Sequence, residues 1–335
     1  MWPSQLEQLL AEGKSDGVFT QASFAVGTLG EMWTGGETDT WFDLASVTKV
    51  AATTTCILRL ISEEKLSFDA LWRDLLPEIP EEYAEVRLRD VMSHRAGYRP
   101  HRRLDLIYPT PEAAWAGLLA EKPFVQPCTE THYSCLGFLL LGHMVSRVAG
   151  MPFSKYCHET LDAIVGPGRL RLVLPEAMHA LAAPTECLAD GTCIQGVVHD
   201  ENAAFLAPEA GNAGLFAQAP ALGEFAQKLL RLALDEGEVP GIRREVLLEA
   251  ISGGRPPLVR GLGFDLRAVE NASVGNLWSR KSFGHLGFTG TSLWFEPVRG
   301  FFAVLLTNRV HPTRENDKIH DFRRKFHTEI YENIP

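Results

Sequence analysis

The spacing of hydrophobic and polar residues changes several times along the chain. The first residues carry apolar side chains at helical spacing, which predicts a short amphipathic helix. The segment FTQASFAVGTLGEMWTGG then alternates apolar and polar residues and turns at glycines, which is typical of a β-hairpin. A second helical pattern begins near residue 46 and continues without a break until after Lys65.

From Phe68 to about Pro208 the pattern favours short helices interrupted by proline and glycine. Helical periodicity is clearest in the segments AAWAGLLAEK, LGFLLLGHMVSRVAG, FSKYCHETLDAIVG, ALGEFAQKLLRLALDEG and REVLLEAIS. Strands are predicted after these helices, in the segments GLGFDLRA, TSLWFEP and FFAVLLTN. A polar helix is predicted from about Arg314 to the last residues.

Strands near both ends of the chain, with helices between them, predict an α/β (α+β) fold. Residues 1–66 and 209–335 are expected to form one discontinuous sheet domain, and residues 67–208 an inserted helical region. The sequence contains no internal repeat and no low-complexity linker. With 335 residues, the chain is long enough to bury a large core.

The segment DLASVTK, residues 43–49, places a serine three positions before a lysine at the start of a predicted helix. Residues three apart on a helix share one face, so we expect Lys49 to lie next to Ser46. Serine is also a favoured helix N-cap. Two interpretations follow, a capping serine or a nucleophile with its base, and Ser-x-x-Lys alone does not decide between them.

A serine hydroxyl is a weak nucleophile that needs a neighbouring base. Lysine serves as that base when its pKa falls toward neutrality, and both burial and the positive end of a helix lower the pKa of an ammonium group. The backbone N–H of Ser46 would then face a developing oxyanion. We therefore expect a lowered pKa for Lys49 and activity that rises from neutral to mildly alkaline pH.

Two further segments add polar groups suited to the same chemistry. HYSCLGFLLLG places Tyr133 just before an apolar helix, where its phenol can face a cleft. FGHLGFTGTSLWFEP places His285, Gly287 and Thr289 on one side of a predicted strand, because strand side chains alternate. Gly287 would let a substrate lie close to the strand, and the N–H of Phe288 would be a second oxyanion donor.

The motifs SVTK, YSC and HLG, in this order, resemble those of the penicillin-recognising serine hydrolases. The chain is most similar to the group that contains class C β-lactamases, D,D-peptidases and esterases. The resemblance implies a mixed, mainly antiparallel sheet flanked by helices, with an all-helical region inserted. It also implies a Ser46 acyl-enzyme, proton transfer by Lys49 and Tyr133, and an oxyanion hole formed by the N–H groups of Ser46 and Phe288.

Two positions depart from the pattern of this family. His285 stands where many members carry lysine, and a partly charged imidazole would hold a substrate carboxylate less firmly. Cys135 stands where the pattern usually has asparagine, and a thiol donates and accepts hydrogen bonds poorly. The substrate-binding residues implied by the resemblance are Cys135, His285, Gly287 and Thr289.

These departures favour ester substrates, whose leaving groups demand less of the site than those of β-lactams or D,D-peptides. We expect a hydrolase that acts on a small ester or amide. One alternative is a true β-lactamase or D,D-carboxypeptidase, acting on a β-lactam or a peptidoglycan fragment. Another is an inactive module of the same fold that binds a muropeptide or a protein.

The charge and the hydrophobic runs of the chain argue against two further classes of protein, those that bind nucleic acid and those that span a membrane. The formal net charge of −10 argues against nucleic-acid binding, and no apolar run approaches the roughly 20 residues of a membrane helix. No secretory signal is visible, which predicts a cytoplasmic protein.

The cysteines give no clear sign of a disulfide framework or a metal site. In a cytoplasmic protein, all six are expected to be free thiols. Neither Cys128, His132 and Cys135 nor Cys187, Cys193 and His199 have the paired spacing of a zinc site, so we expect no metal and no cofactor.

Overall fold

A six-stranded antiparallel sheet forms the framework of the computed structural model, which describes residues 2–252, 260–268 and 272–335. Its strand order is β2-β1-β9-β8-β7-β6, so the early strands β2 and β1 form one edge of the sheet and pair through β1 with the late strand β9. The strands of this sheet are β1 (Ala22–Thr28), β2 (Met32–Gly36), β6 (Asp265–Leu266), β7 (Phe283–Leu286), β8 (Ser292–Glu296) and β9 (Phe301–Thr307).

The strand β9 shows why this sheet is buried on both faces. It pairs with β1 from Ala22↔Thr307 to Thr28↔Phe301 and with β8 on its other side. All seven of its residues are buried. Phe302, Val304 and Leu306 pack into one hydrophobic cluster, whereas the alternating residues, Phe301, Ala303 and Leu305, pack into the other. Each face of the sheet therefore needs a covering layer of helices.

Helices supply these two layers. The first and last helices, α1 and α12, cover one face, and α2, α7, α8 and α10 lie in the larger cluster on the other. The helices are α1 (Trp2–Ser15), α2 (Thr55–Ser62), α3 (Trp72–Leu75), α4 (Leu88–Met92), α5 (Leu104–Ile107), α6 (Pro111–Leu119), α7 (Cys135–Ala149), α8 (Phe153–Val165), α9 (Glu201–Leu206), α10 (Ala219–Ala233), α11 (Arg244–Ser252) and α12 (Ile319–Asn333). A π-helical segment, Lys49–Thr54, leads directly into α2, and 3₁₀ segments span Glu81–Tyr83 and Glu176–Leu181.

A second, three-stranded sheet connects the framework to the helical middle of the chain. It consists of β3 (Phe42–Asp43), β5 (Phe216–Ala217) and β4 (Leu170–Arg171), in the order β3-β5-β4. The buried carboxylate of Asp43 accepts hydrogen bonds from the N–H groups of Ala45, at 2.8 Å, and His199, at 2.7 Å. Asp43 therefore fixes the start of the segment that contains Ser46.

The predicted fold class is confirmed, and the strongly periodic helices are found where expected. The segment REVLLEAIS, for example, is α11. The last helix begins at Ile319 rather than near Arg314. The proposed division at residues 66 and 209 stays a prediction, although the six-stranded sheet draws its strands only from residues 22–36 and 265–307.

The expectation of six free thiols is wrong for two cysteines. Cys187 and Cys193 form a disulfide that closes a short hairpin, while Cys56, Cys128, Cys135 and Cys157 are free. The two sulfur atoms lie near His311, and these three residues are the one group of potential metal ligands among the described residues. Sulfur atoms joined in a disulfide are not thiolates, which are the form of cysteine that binds metals.

In the part of the chain that the structure describes, no individual helix has both the length and the apolar composition needed to cross a membrane. The consecutive helices α7 and α8 reach these limits only when counted together, and the pair is bent by 82°.

Two glycines allow α7 to contact the turn that follows α9. A Cβ atom on Gly142 would lie 2.9 Å from both the N and the Cα of Gly211. The Cβ of a residue at 211 would lie 2.4 Å from the carbonyl oxygen of Phe138. The close approach of the two backbones sets the position of Asn212, whose carbonyl oxygen accepts a hydrogen bond from Lys49.

We predict that Gly142→Ala destabilises the protein by about 1–3 kcal/mol, because two backbone segments must separate to admit the methyl group. Gly137→Ala is the matched control, because its Cβ meets only ordinary contacts of 3.6 Å or more on the same helix. This control is expected to be neutral or stabilising by up to about 1 kcal/mol. Urea unfolding measures the free energy of unfolding of both variants. Equal values for the two would show that the contact between Gly142 and Gly211 does not contribute to stability.

Candidate active site

Ser46 is the one partly exposed residue in a buried segment. Residues 41–50 are otherwise buried, and Ser46 opens onto a cavity. The preceding residue, Ala45, has a φ of 45°, in the left-handed region that an alanine seldom adopts. Such strain persists where the surrounding structure enforces it, which here includes the hydrogen bond from Ala45 N–H to Asp43.

Lys49 is completely buried and points back toward Ser46. Its Nζ lies 3.0 Å from Ser46 Oγ, 2.9 Å from the carbonyl oxygen of Asn212 and 3.6 Å from Cys135 Sγ. Lys49 begins the π-helical segment, for which Thr48 is the N-cap. Within the described chain the Ser46 hydroxyl contacts the lysine and accepts no backbone N–H, so this serine is not a side-chain cap.

The pKa of Lys49 lies above its ordinary value. Burial acts to lower this pKa, but the neighbouring Cys135 and Tyr133 side chains, a hydrogen bond with Tyr133 and the charge of Asp200 outweigh burial. The expectation of a lowered pKa for Lys49 is therefore wrong. In the resting site the lysine is an ammonium group that donates to Ser46 Oγ.

Tyr133 lies over the same lysine. Lys49 Nζ is 5.1 Å from the centroid of the phenol ring, and the rings of His94 and His285 lie 4.6 and 5.9 Å from it. Burial raises the pKa of Tyr133, and its hydrogen bonds with Lys49 and Ser46 offset only part of this effect. The resting phenol is therefore protonated, and Ser46, Lys49, Tyr133 and Cys135 meet at one place.

His285 is buried and neutral. Its Nδ1 lies 2.7 Å from the carbonyl oxygen of Leu286, so Nδ1 carries the proton and donates. Burial and the positive charges of Lys49 and Arg260 hold the pKa of His285 well below its usual range. The expectation of a partly charged imidazole at neutral pH is therefore wrong, and the cavity beside His285 obtains its positive charge from other residues.

Arg260 is one such residue, and no pattern in the sequence indicates it. Its guanidinium carbon lies 5.0 Å from the centroid of the Tyr133 ring, and it forms an ion pair with Asp265. Arg309 and Arg323 line the same cavity. The sequence assigns no role in the site to any of these three arginines, because only the folded chain brings them near Ser46.

The segment after β7 is a tight turn and not a continuing strand. The strand ends at Leu286, and Gly287 N–H donates to the carbonyl oxygen of Thr291 at 2.8 Å. The prediction that Gly287 and Thr289 continue this strand is therefore wrong. A Cβ on Gly287 would lie 1.9 Å from Thr291 Oγ1 and 2.5 Å from the carbonyl oxygen of Leu44, so this glycine is required by the packing of the turn.

Thr289 faces the protein interior, and its hydroxyl donates to the carbonyl oxygen of Asp43 at 2.7 Å. This bond connects the turn to the segment that leads to Ser46. Phe288, which lies between Gly287 and Thr289 in the turn, is half exposed. In the described chain neither the N–H of Ser46 nor that of Phe288 donates to a protein acceptor, which leaves both available for an oxyanion.

Two cavities meet at Ser46, Tyr133 and Phe288, which line both. The first has a volume of about 320 Å³, and its other lining residues include Cys135, His101, His199, Asp200, Glu201, Ala213 and Arg314. The second has about 340 Å³ and lies along His285, Gly287 and the three arginines. A substrate centred on Ser46 Oγ can therefore extend in two directions.

The wall of the first cavity is held by a network of charges. Arg314 forms ion pairs with Glu186 and Glu201, and Glu186 also accepts from His199 Nε2 at 3.0 Å. The His199 ring stacks on Phe288 with a centroid distance of 5.8 Å. His199 and Glu201 belong to the segment HDEN, and their partners Glu186 and Arg314 lie too far along the chain to be recognised from the sequence.

The chain matches the model of the Beta-lactamase family over residues 6–327 and belongs to that family. An N-acetylmuramyl-L-alanine amidase of Bacillus subtilis (strain 168) is 27% identical, with 82% of this chain and 69% of that protein covered. These findings confirm the resemblance to penicillin-recognising serine hydrolases.

Solved structures share the fold at low sequence identity. A beta-lactamase/D-alanine carboxypeptidase from Pseudomonas syringae superimposes with a TM-score of 0.75 and 16% identity, covering 100% of this chain and 99% of that one. EstCE1, described as a hydrolase with promiscuous acyltransferase activity, gives a TM-score of 0.76 and 16% identity, with 96% and 98% covered.

We predict that the Lys49 ammonium titrates above the ordinary lysine pKa of about 10.4. Cys135 is the first of the neighbouring groups that raise the Lys49 pKa, so replacing it with a neutral carboxamide in Cys135→Asn should lower that pKa. NMR of lysine side chains labelled with ¹³C and ¹⁵N measures both values, and Lys49→Arg assigns the resonance. An unchanged pKa in Cys135→Asn would contradict this account of the site.

Proposed function

We propose that this chain is a serine hydrolase in which Ser46 forms an acyl-enzyme with a small ester or amide. The observation that carries this proposal is the 3.0 Å contact between Ser46 Oγ and a buried Lys49, beside the phenol of Tyr133. A nucleophile and a proton-transfer pair within hydrogen-bond reach are the requirement for this chemistry. Family membership and the positions of the free N–H groups of Ser46 and Phe288 support the same conclusion.

In the proposed reaction, loss of one proton from the Lys49–Tyr133 pair creates the base. Ser46 Oγ then attacks the carbonyl carbon and passes its proton to this pair, while the carbonyl oxygen becomes an oxyanion held by the N–H groups of Ser46 and Phe288. Collapse of the tetrahedral intermediate breaks the bond to the leaving group, which takes up the proton. Water repeats the attack on the acyl carbonyl and releases the acid and free Ser46.

Ester substrates fit this site better than β-lactams or D,D-peptides. Cys135 Sγ lies 3.6 Å from Lys49 Nζ and lines the first cavity, where the resemblance implies a carboxamide. A thiol does not orient a substrate amide well. The second cavity, with Arg260 at its wall, is suited to a substrate that carries negative charge on one side of the reacting carbonyl.

The test is turnover of p-nitrophenyl butyrate, with Ser46→Ala as the matched control. We expect turnover by the wild type and an increase of about 70 Da in intact mass for the butyryl-enzyme, as attack by a serine nucleophile requires. Ser46→Ala should lose at least about a hundredfold in kcat and show no adduct.

Other outcomes separate the rival functions. Rapid turnover of nitrocefin would support a β-lactamase instead of an esterase. Absence of both turnover and adduct, in wild-type protein shown to be folded by its unfolding transition, would exclude the hydrolase and favour a binding module.

Activity is expected to rise with pH beyond the mildly alkaline range. The base is the deprotonated form of the Lys49–Tyr133 pair, and a raised pKa moves the formation of that base to higher pH. The rate should therefore still increase above about pH 9. A profile of kcat against pH measures this, over the range in which the protein stays folded. A rate that is constant from pH 7 to 9 would contradict the proposed base.

A further inference from the structure

Arg323 is a buried cation with no carboxylate partner in the described part of the chain. It lies on α12, is only 4% exposed, and its Nε has no hydrogen-bond partner. Burial of an unpaired charge opposes folding, and proteins usually pair such groups or place them in functional sites. The contacts of Arg323 therefore require an explanation other than an ion pair.

Those contacts are with the turn that carries Phe288. Arg323 Nη2 donates to the carbonyl oxygen of Gly287 at 2.7 Å and to that of Thr291 at 2.8 Å. The carbonyl of Gly287 and the N–H of Phe288 are the two ends of one peptide group. The guanidinium therefore binds the oxygen end of the peptide whose N–H end belongs to Phe288 and has no protein acceptor in the described chain. Phe288 and Ser46 line both cavities.

We propose that Arg323 is a positioning residue that polarises the Gly287–Phe288 peptide and so strengthens the Phe288 N–H as an oxyanion donor. This inference rests on the proposed function. A charged donor on a carbonyl oxygen draws electron density from the peptide, and hydrogen bonds in series strengthen one another. The same contacts fix the turn, so the donor is both oriented and made more positive before the oxyanion forms.

A direct role for Arg323 in binding a substrate carboxylate is less consistent with its geometry. Both hydrogens of Nη2 are used by the two carbonyl groups and Nε is buried, so only Nη1 is left to reach a substrate carboxylate, without the two-nitrogen fork that makes arginine a strong carboxylate ligand. A substrate without a negative charge separates the two roles. Polarisation of the peptide affects the turnover of a neutral ester, whereas a group that only binds a substrate carboxylate does not.

Arg309 provides a matched control on the same turn. Its Nε donates to the carbonyl oxygen of Phe288 at 2.7 Å, and its guanidinium carbon lies 4.4 Å from the centroid of the Phe288 ring. It binds the next peptide along the chain, whose N–H belongs to Thr289 and is not an oxyanion donor. Loss of Arg309 should therefore disturb the turn to a similar extent without weakening the Phe288 N–H.

The experiment compares Arg323→Gln, Arg323→Lys and Arg309→Gln with p-nitrophenyl butyrate as a neutral substrate. Glutamine keeps a donor without the charge, and lysine keeps the charge without the planar fork. Loss of a whole oxyanion donor costs about a hundred- to a thousandfold in kcat, so its weakening in Arg323→Gln should cost about tenfold, with KM nearly unchanged. Arg323→Lys and Arg309→Gln should both retain more activity than Arg323→Gln.

The possible results are distinguishable. Turnover that depends on Ser46 but is unchanged in Arg323→Gln would overturn this inference and leave the proposed function intact. A lysine variant no better than the glutamine variant would show that the charge is not needed, which also overturns it. If Arg323→Gln does not fold, Arg323→Lys decides, because kcat near the wild-type value supports polarisation and a tenfold loss refutes it. Turnover that survives in Ser46→Ala would overturn both proposals.

Discussion

The buried ammonium group of Lys49 is the constraint on which the rest of the site depends. A charged group inside the protein must be surrounded by acceptors, because an unsatisfied charge in a medium of low polarity is very unfavourable. The acceptors come from distant parts of the chain, namely Ser46, the start of α7 at Cys135 and the turn at Asn212. The hydrogen bonds of this one cation bring together the segment at Ser46, the start of α7 and the turn at Asn212. The close contact of α7 with Gly211 lets that turn approach Lys49.

A second feature of the site is an excess of positive charge on one side of Ser46. Arg260, Arg309 and Arg323 line the second cavity. His285 stays neutral because its own burial and the charges of Lys49 and Arg260 disfavour its protonation. The charge distribution is complementary to an oxyanion and to an anionic substrate group. In this respect the chain meets the electrostatic needs of the proposed acyl transfer without the lysine that the resemblance leads one to expect at the position of His285.

Much of the architecture could be predicted from the sequence, because long periodic segments determine local structure. The helices α10 and α11 show this, since their apolar residues recur at the helical period and leave little ambiguity. The strand β7 shows the limit. Its alternation continues past Leu286, but the contact of Gly287 with Leu44 and Thr291 turns the chain there, and that contact joins residues far apart in sequence.

The sequence could predict which residues form the centre of the candidate site. It could not predict the pKa of Lys49 or the charged residues that surround the site. The three motifs identify Ser46, Lys49 and Tyr133, because their order and separation are visible along the chain. The direction of the Lys49 pKa depends on Cys135 and Asp200, and the polarity around Phe288 depends on Arg309 and Arg323, which only folding brings near. Likewise, the pairing of Cys187 with Cys193 follows from a local hairpin that the spacing of the cysteines did not suggest.

The pairing of β1 with β9 has a consequence for how the protein assembles during its synthesis. Strand β1 is synthesised well before its central neighbour β9, because most of the described chain lies between them. Until then the apolar edge of the β1–β2 hairpin has no partner strand, and contacts between residues so distant in sequence form slowly. The helical middle of the chain, whose contacts are more local, can become ordered before β9 is synthesised, but Arg323, which fixes the turn at Phe288, is added only with α12.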